Sequence, residues 1–117
     1  MTRSLTAMSV NVPLDELPQA LERFGLNPYI LTVGSDGRPR ANSVTVEWRE
    51  QLLMLGAGRR TTENVQANER VTLLWPAAAP GEHALIVDGW AAVFDSPETH
   101  GVVFAKPGKA VLHVTES

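Results

Sequence analysis

The segment from Leu55 to Val71, LGAGRRTTENVQANERV, decides the fold and places a candidate binding site. It begins at the end of a short apolar run, Leu52 to Ala57, which is suited to a buried strand. Small residues and two arginines follow. Thr62 to Glu69 then has the pattern of a short helix before the next apolar run, Val71 to Trp75. The segment therefore predicts a strand, a basic loop, a helix and a second strand.

The loop in this segment has the residue types of a phosphate site. Glycines let backbone N–H groups approach a ligand, and a helix N-terminus offers unpaired N–H donors with a partial positive charge. Arg59 and Arg60 supply forked donors that match phosphate oxygens, and Thr61 adds a hydroxyl. An ordinary turn with a threonine cap and two solvated arginines has the same spacing, so both interpretations stay open. A P-loop is excluded because the Gly-Lys-Ser/Thr ending is missing.

The elements upstream of this segment are one helix and a hairpin. Asp15 can cap a helix with Pro18 in its first turn, and Gly25 ends it. Tyr29 to Val33 reads as a strand, and the turn signal after it leads into a second strand, Arg40 to Trp48. This pair predicts the first hairpin.

The elements downstream are strands. His83 to Asp95 is the longest candidate, in which Gly89 marks a bulge or a close backbone approach, and Lys109 to Thr115 is the last. With two short helices and six strands, the chain has too many strands for a doubly wound α/β fold. We therefore expect a mainly β protein, a six-stranded antiparallel barrel that is closed or partly closed.

A second candidate region lies at the start of the Arg40 to Trp48 strand. Alternation places Asn42 on the same face as Val44 and Val46, which are core residues by type. A polar side chain in a core-facing row needs a partner, and a flat heterocycle with donors and acceptors at its rim supplies one. Emergence of the strand into solvent is the alternative.

Composition bounds the remaining possibilities. A chain of 117 residues with 44% hydrophobic residues fits one domain, residues 1–117. The absence of cysteine excludes thiolate catalysis and makes the cytoplasm the simplest location, and the start of the chain lacks the apolar core of a signal peptide. The net charge of −3 argues against nucleic-acid binding, and no apolar run is long enough to cross a membrane. The histidines do not cluster, so no metal site is predicted.

The order of these parts resembles the FMN-binding split-barrel family, the relatives of pyridoxamine 5′-phosphate oxidase. The resemblance covers nearly the whole chain. Its strongest stretch is Gly56 to Val71, with small residues, a basic residue, Thr61, Asn64 and then Asn-Glu-Arg-Val. The long strand with a central glycine, Leu85 to Ala92, is similar to the family's as well.

The resemblance implies a cofactor site. Arg60 and Thr61 match the family's phosphate-binding positions, with Arg59 as a further candidate and Asn64 supporting the turn. The ring would meet residues of two strands, namely Asn42, Ser43, Val44, Gly56 and Ala57. FMN is the expected cofactor and a deazaflavin the alternative, bound at the interface of a homodimer.

The implied function is that of a flavin-dependent oxidoreductase, and no catalytic residue is identified. A flavin carrier without a substrate, a deazaflavin-dependent reductase and a barrel dimer without a cofactor are the alternatives. The chain is shorter than the oxidase and lacks its carboxy-terminal arginine and histidine motif, which argues against oxidation of pyridoxamine phosphate.

Overall fold

The computed structural model describes residues 6–94 and 101–116 of the chain. These contain eight strands and two α-helices. In chain order the elements are β1 (Thr6–Val12), a 3-10 turn (Leu14–Glu16), α1 (Leu17–Phe24), β2 (Tyr29–Val33), β3 (Pro39–Ser43), β4 (Val46–Arg49), β5 (Leu52–Gly56), α2 (Arg59–Ala67), β6 (Arg70–Trp75), β7 (Ala84–Phe94) and β8 (Val102–Glu116). No helix within the described ranges is long and apolar enough to cross a membrane.

All strand pairs are antiparallel, in the order β3-β2-β6-β7-β8-β5-β4, with β1 added to β8. The two ends of this path, β3 and β4, are halves of one continuous segment, so the chain itself closes the sheet into a barrel. At the junction of β3 and β4, the N–H of Val44 donates to the carbonyl of Pro28 at 3.0 Å, and the N–H of Val46 donates to the carbonyl of Leu26 at 2.8 Å. The expected mainly β, antiparallel architecture with two helices is confirmed.

The core lies between the inward rows of these strands. The most buried large side chains include those of Ile30, Leu53, Leu73, Trp75 and Leu85. Leu17 and Leu21 of α1 cover one end of this core. Trp75 keeps its indole N–H bonded, because it donates to the carbonyl of Gly25 at 2.9 Å. Full burial of an indole therefore leaves no donor unpaired.

The strand count of six was wrong, and so were several element limits. β1 was missed, and the Arg40–Trp48 strand is divided into β3 and β4. β8 starts at Val102 instead of Lys109. Its start was predicted too late because Lys106, Pro107 and Gly108, which lie inside the strand, have the composition of a turn. The limits of β7 are Ala84 and Phe94, and the expected end at Asp95 lies outside the described residues.

Both helices also start differently from the prediction. α1 follows a 3-10 turn, and its N-cap is Glu16 without a side-chain hydrogen bond, so Asp15 is not the cap. α2 starts at Arg59 rather than Thr62, and its N-cap is Gly58. Gly25 ends α1 as expected, with a φ of +87° that favours glycine.

A bulge between β7 and β8 confirms the expectation for Gly89. Asp88 pairs with Lys109 but Gly89 pairs with Pro107, so Gly108 is an extra residue on β8. A side chain at Gly89 would overlap the carbonyl oxygen of Lys106. A proline is tolerated in this strand because the ladder is interrupted there.

Helix α2 is fastened to β2 by a buried polar contact. Nδ2 of Asn64 donates to Oγ1 of Thr32 at 3.1 Å, and both side chains are buried. The Asn64 amide also lies directly against the backbone of Gly34, where a Cβ would overlap its oxygen. Only glycine therefore fits beneath this amide.

We predict that Gly34→Ala destabilises the protein by about 1–3 kcal/mol, because the added methyl overpacks the Asn64 amide. Gly56→Ala is the matched control, since nothing lies within 4 Å of its added Cβ. Urea unfolding of both variants measures the difference. Equal stability of the two variants would contradict the tight contact.

Candidate functional site

The first turn of α2 offers several unpaired backbone donors. Its N-cap, Gly58, supplies no side-chain cap, and the first bond of the helix runs from the N–H of Thr62 to Gly58 at 3.0 Å. The N–H groups of Arg59, Arg60 and Thr61 precede this bond and have no backbone acceptor in the helix. They lie at the positive end of the helix dipole. This turn can therefore hold an anion if the surrounding side chains allow it.

Two arginines occupy the first two positions of this turn. The side chain of Arg59 is 93% exposed and its Nε lies 3.0 Å from Oε1 of Glu63, one turn along the helix. Exposed pairs of this kind contribute little to stability, so the pair can open for a ligand. Arg60 is exposed and forms no ion pair with the residues that the structure describes. Both cations are therefore exposed at the start of α2.

The hydroxyl of Thr61 is bonded within the protein. The residue is 3% exposed, and its Oγ1 donates to Oδ1 of Asn42 at 3.2 Å. Its side chain is therefore used to hold α2 against β3. Only the backbone N–H of Thr61 remains in the open turn.

Strand β3 brings the second predicted region to the same place. Asn42 pairs across the sheet with buried Ile30, so it lies on the same face of the sheet as the core residues, as alternation predicted. It is nevertheless exposed like the rest of β3, so the strand also emerges into solvent here. Ser43 is exposed and pairs with Tyr29 on the outer face, the face turned away from the core. Val44 is buried and its N–H is bonded to Pro28, which leaves it no free donor. Asn42 and Ser43 are thus the accessible members of this group.

The backbone of β3 adds further donors and acceptors. β3 ends the sheet path and pairs only with β2 among the described strands. Alternate N–H and C=O groups along its other edge have no sheet partner. They are free to pair with polar groups outside the sheet.

Gly56 and Ala57 differ in how accessible they are. Gly56 is exposed and lines a groove of about 230 Å³ beside Thr45, Val46 and Leu55. The N–H of Ala57 is bonded to the carbonyl of Gly101 at 2.6 Å, so its backbone is committed within the barrel. The groove is smaller than the roughly 300–1,000 Å³ of typical ligand sites, so one chain does not enclose a flavin there.

The remaining predicted residue, Asn64, is buried against Thr32 and anchors α2. This agrees with a supporting role rather than contact with a ligand. Arg40 lies in the second candidate region, but the sequence analysis did not assign it to the cofactor site. It shares the inner face of β3 with Asn42 and pairs with Thr32, the residue that Asn64 contacts. The alternation that selected Asn42 applies equally to Arg40 and could have identified it.

The other groups considered from sequence lie elsewhere. Of the three tryptophans, Trp75 is buried and Trp48 is packed against the core, whereas Trp90 is 47% exposed. Within the described ranges, no three histidine, aspartate or glutamate side chains form a cluster that could bind a metal.

No model of a known protein family matches the chain. Uncharacterized proteins of Mycobacterium bovis and Mycobacterium tuberculosis are each 43% identical to it over 61 residues. The match covers 48% of this chain and 41% of each relative, so the chain spans less than half the length of these proteins. These relatives assign no activity.

Solved structures are similar over most of the chain. An F420 reductase has a TM-score of 0.57 at 19% identity, over 73% of this chain and 88% of that one. A Listeria innocua protein provisionally named a pyridoxamine 5′-phosphate oxidase has a TM-score of 0.60 at 19% identity, over 89% and 94%. The FAD binding protein from Mycobacterium smegmatis has a TM-score of 0.63 at 16% identity, over 94% and 100%. The chain therefore has the split-barrel fold of the pyridoxamine 5′-phosphate oxidase-like, flavin-binding proteins.

Proposed function

We propose that the chain binds a flavin phosphate, FMN first, at the N-terminus of α2 and serves as a redox protein. The hydrogen bond between Thr61 and Asn42 carries this proposal. It joins the first turn of α2 to β3, two segments that the sequence separates by 19 positions. An anion-binding helix end and a strand with free polar edges thus lie side by side, which suits a ligand with a phosphate and a flat polar ring.

The residues present fit the phosphate end of such a ligand. Arg60 is exposed and unpaired within the described chain, Arg59 has only a surface pair, and the first-turn N–H groups are open. Nothing lies within 4 Å of a Cβ placed at Gly56 or Gly58, so the backbone there is open to a ligand. These features provide charge-assisted bonds to phosphate oxygens.

In this proposal the protein binds the cofactor and orients it. A bound flavin supplies the hydride and electron transfer. Arg59 and Arg60 would fix the phosphate, while Asn42, Ser43 and the free edge of β3 would set the position of the ring. No side chain need act as an acid or a base in this scheme.

A second copy of the chain is proposed as the other wall of the site. The groove beside Gly56 is about 230 Å³, too small to enclose a flavin. Tyr29 is 43% exposed and lies beside Ser43, and its row continues across the outer face through Leu74, Ile86 and Val111. An apolar row of this kind is suited to packing against a partner.

Sedimentation equilibrium should give twice the chain mass of 12.7 kDa. Tyr29→Glu should shift the protein towards the monomer, because it buries a charge in the proposed interface. Leu14→Glu, at another exposed apolar position, should leave the mass unchanged. A monomeric parent protein would contradict the dimer.

A deazaflavin is the second candidate cofactor. The F420 reductase named among the similar structures supports it at the level of the fold. Both cofactors carry a phosphate and a tricyclic ring, so the α2 site does not distinguish them. A carrier that binds a flavin without turning over a substrate would use the same residues, and a barrel dimer without a cofactor would bind neither molecule.

Fluorescence titration with FMN, and separately with a deazaflavin, tests the cofactor site. Arg60→Ala should weaken FMN binding by about 10- to 100-fold, because it removes a charge-assisted contact to phosphate. Arg23→Ala, which removes an exposed arginine in α1, is the control and should bind like the parent protein. Equal affinity of the two variants would remove the phosphate site from α2.

Substitutions of Thr61 distinguish a structural role of its hydroxyl from a contact with the ligand. Thr61→Val should lower the free energy of unfolding by about 1 kcal/mol, since it removes the bond to Asn42, and Thr61→Ser should restore most of it. Thermal unfolding without cofactor measures this effect. Weaker FMN binding by Thr61→Val with unchanged stability would show instead that the hydroxyl contacts the ligand.

A further inference from the structure

A second groove, of about 610 Å³, lies on the outer face of β2, β6, β7 and β8. None of the nine residues predicted for the cofactor site lines it. Leu31 and Val33 form part of its apolar wall, and Trp90 stands at another side. Its volume falls within the range of about 300–1,000 Å³ that is usual for small-molecule sites.

The β7–β8 bulge builds the aromatic side of this groove. Because Gly108 is an extra residue without a side chain, the indole of Trp90 lies over its backbone. A Cβ at Gly108 would come within 2.5 Å of the Trp90 ring. Trp90 is nevertheless 47% exposed as a residue and lines the groove, so its side chain remains available to a planar ligand. A half-exposed indole over a glycine is suited to ring stacking.

The charges around the groove are mainly positive. Arg70 pairs with Trp90 across the strands, and Lys109 pairs with Asp88. Both cations are exposed, and neither forms an ion pair within the described residues. The carboxylate of Asp88 accepts a hydrogen bond from Oγ1 of Thr72 at 2.6 Å. Two cations and one acid leave a local excess of one positive charge, opposite in sign to the chain's net charge of −3.

We propose that this groove binds a planar aromatic anion, such as an aromatic carboxylate. The indole of Trp90 would stack on the ring, the apolar wall would cover its edge, and Arg70 and Lys109 would bind the acidic group. Charge complementarity favours an anionic ring over a neutral one, because a neutral ring would give Arg70 and Lys109 no negatively charged partner. The site is independent of the proposed cofactor site and needs no flavin.

Isothermal titration calorimetry with 2-naphthoate tests the site, with neutral 2-naphthalenemethanol for comparison. Naphthoate should bind saturably, and the alcohol at least about tenfold more weakly, because it lacks the charge-assisted bonds. Trp90→Leu and the Arg70→Gln/Lys109→Gln double variant should each weaken naphthoate binding to a similar extent. Arg49→Gln, an exposed arginine on distant β4, should leave it unchanged.

Several results would overturn the proposal. These are equal affinity for the acid and the alcohol, unchanged affinity in the Arg70/Lys109 variant, or no binding to the parent protein. If Trp90→Leu does not fold, the exposed double variant still decides the question. Loss of naphthoate binding on addition of FMN would assign the groove to the flavin instead. Binding only in the monomeric Tyr29→Glu variant would show that a second copy of the chain covers it.

Discussion

The closure of the sheet depends on one segment, residues 39–49, which pairs with β2 at one end and with β5 at the other. Because β3 and β4 are halves of the same segment, the barrel closes through the chain itself rather than through a final ladder. Two hydrogen bonds fix the junction between β3 and β4. The N–H of Val44 donates to the carbonyl of Pro28, and the N–H of Val46 donates to the carbonyl of Leu26. This constraint leaves the outer edge of β3 unpaired among the described strands, next to the start of α2.

Two polar contacts then fix α2 over this opening. Thr61 bonds to Asn42 of β3, and Asn64 bonds to Thr32 of β2, so neighbouring turns of one helix are tied to neighbouring strands. Buried hydrogen bonds are directional and costly to break, which sets the rotation of the helix as well as its position. That rotation leaves Arg59 and Arg60 on the exposed side. The hydroxyl of Thr61 therefore helps to orient the turn that carries the arginines.

The same sheet presents two different surfaces on its outer face. Near Ser43, the row from Tyr29 to Val111 is mostly apolar and suits a second protein chain. Towards the bulge, Arg70 and Lys109 surround an exposed indole, which suits a small charged ligand. The two surfaces adjoin on β8, where Val111 and Lys109 lie two residues apart in one register, and the shift after Asp88 comes only before Trp90. One outer face therefore carries an apolar row beside a charged groove.

The sequence by itself determined the class of fold, the strands around Leu53, Leu73 and Leu85, and the basic residues between β5 and the body of α2. These signals are local, because strand alternation and glycines before a helix act over a few residues. Tertiary structure decided that β8 continues through Pro107, since the bulge opposite Gly89 accommodates a proline that locally resembles a turn. It also moved the start of α2 to Arg59 and buried Thr61, because the partner of that hydroxyl lies on β3. Contacts between residues far apart in the chain leave no periodic pattern, and so only the folded chain places the first turn of α2 against Asn42.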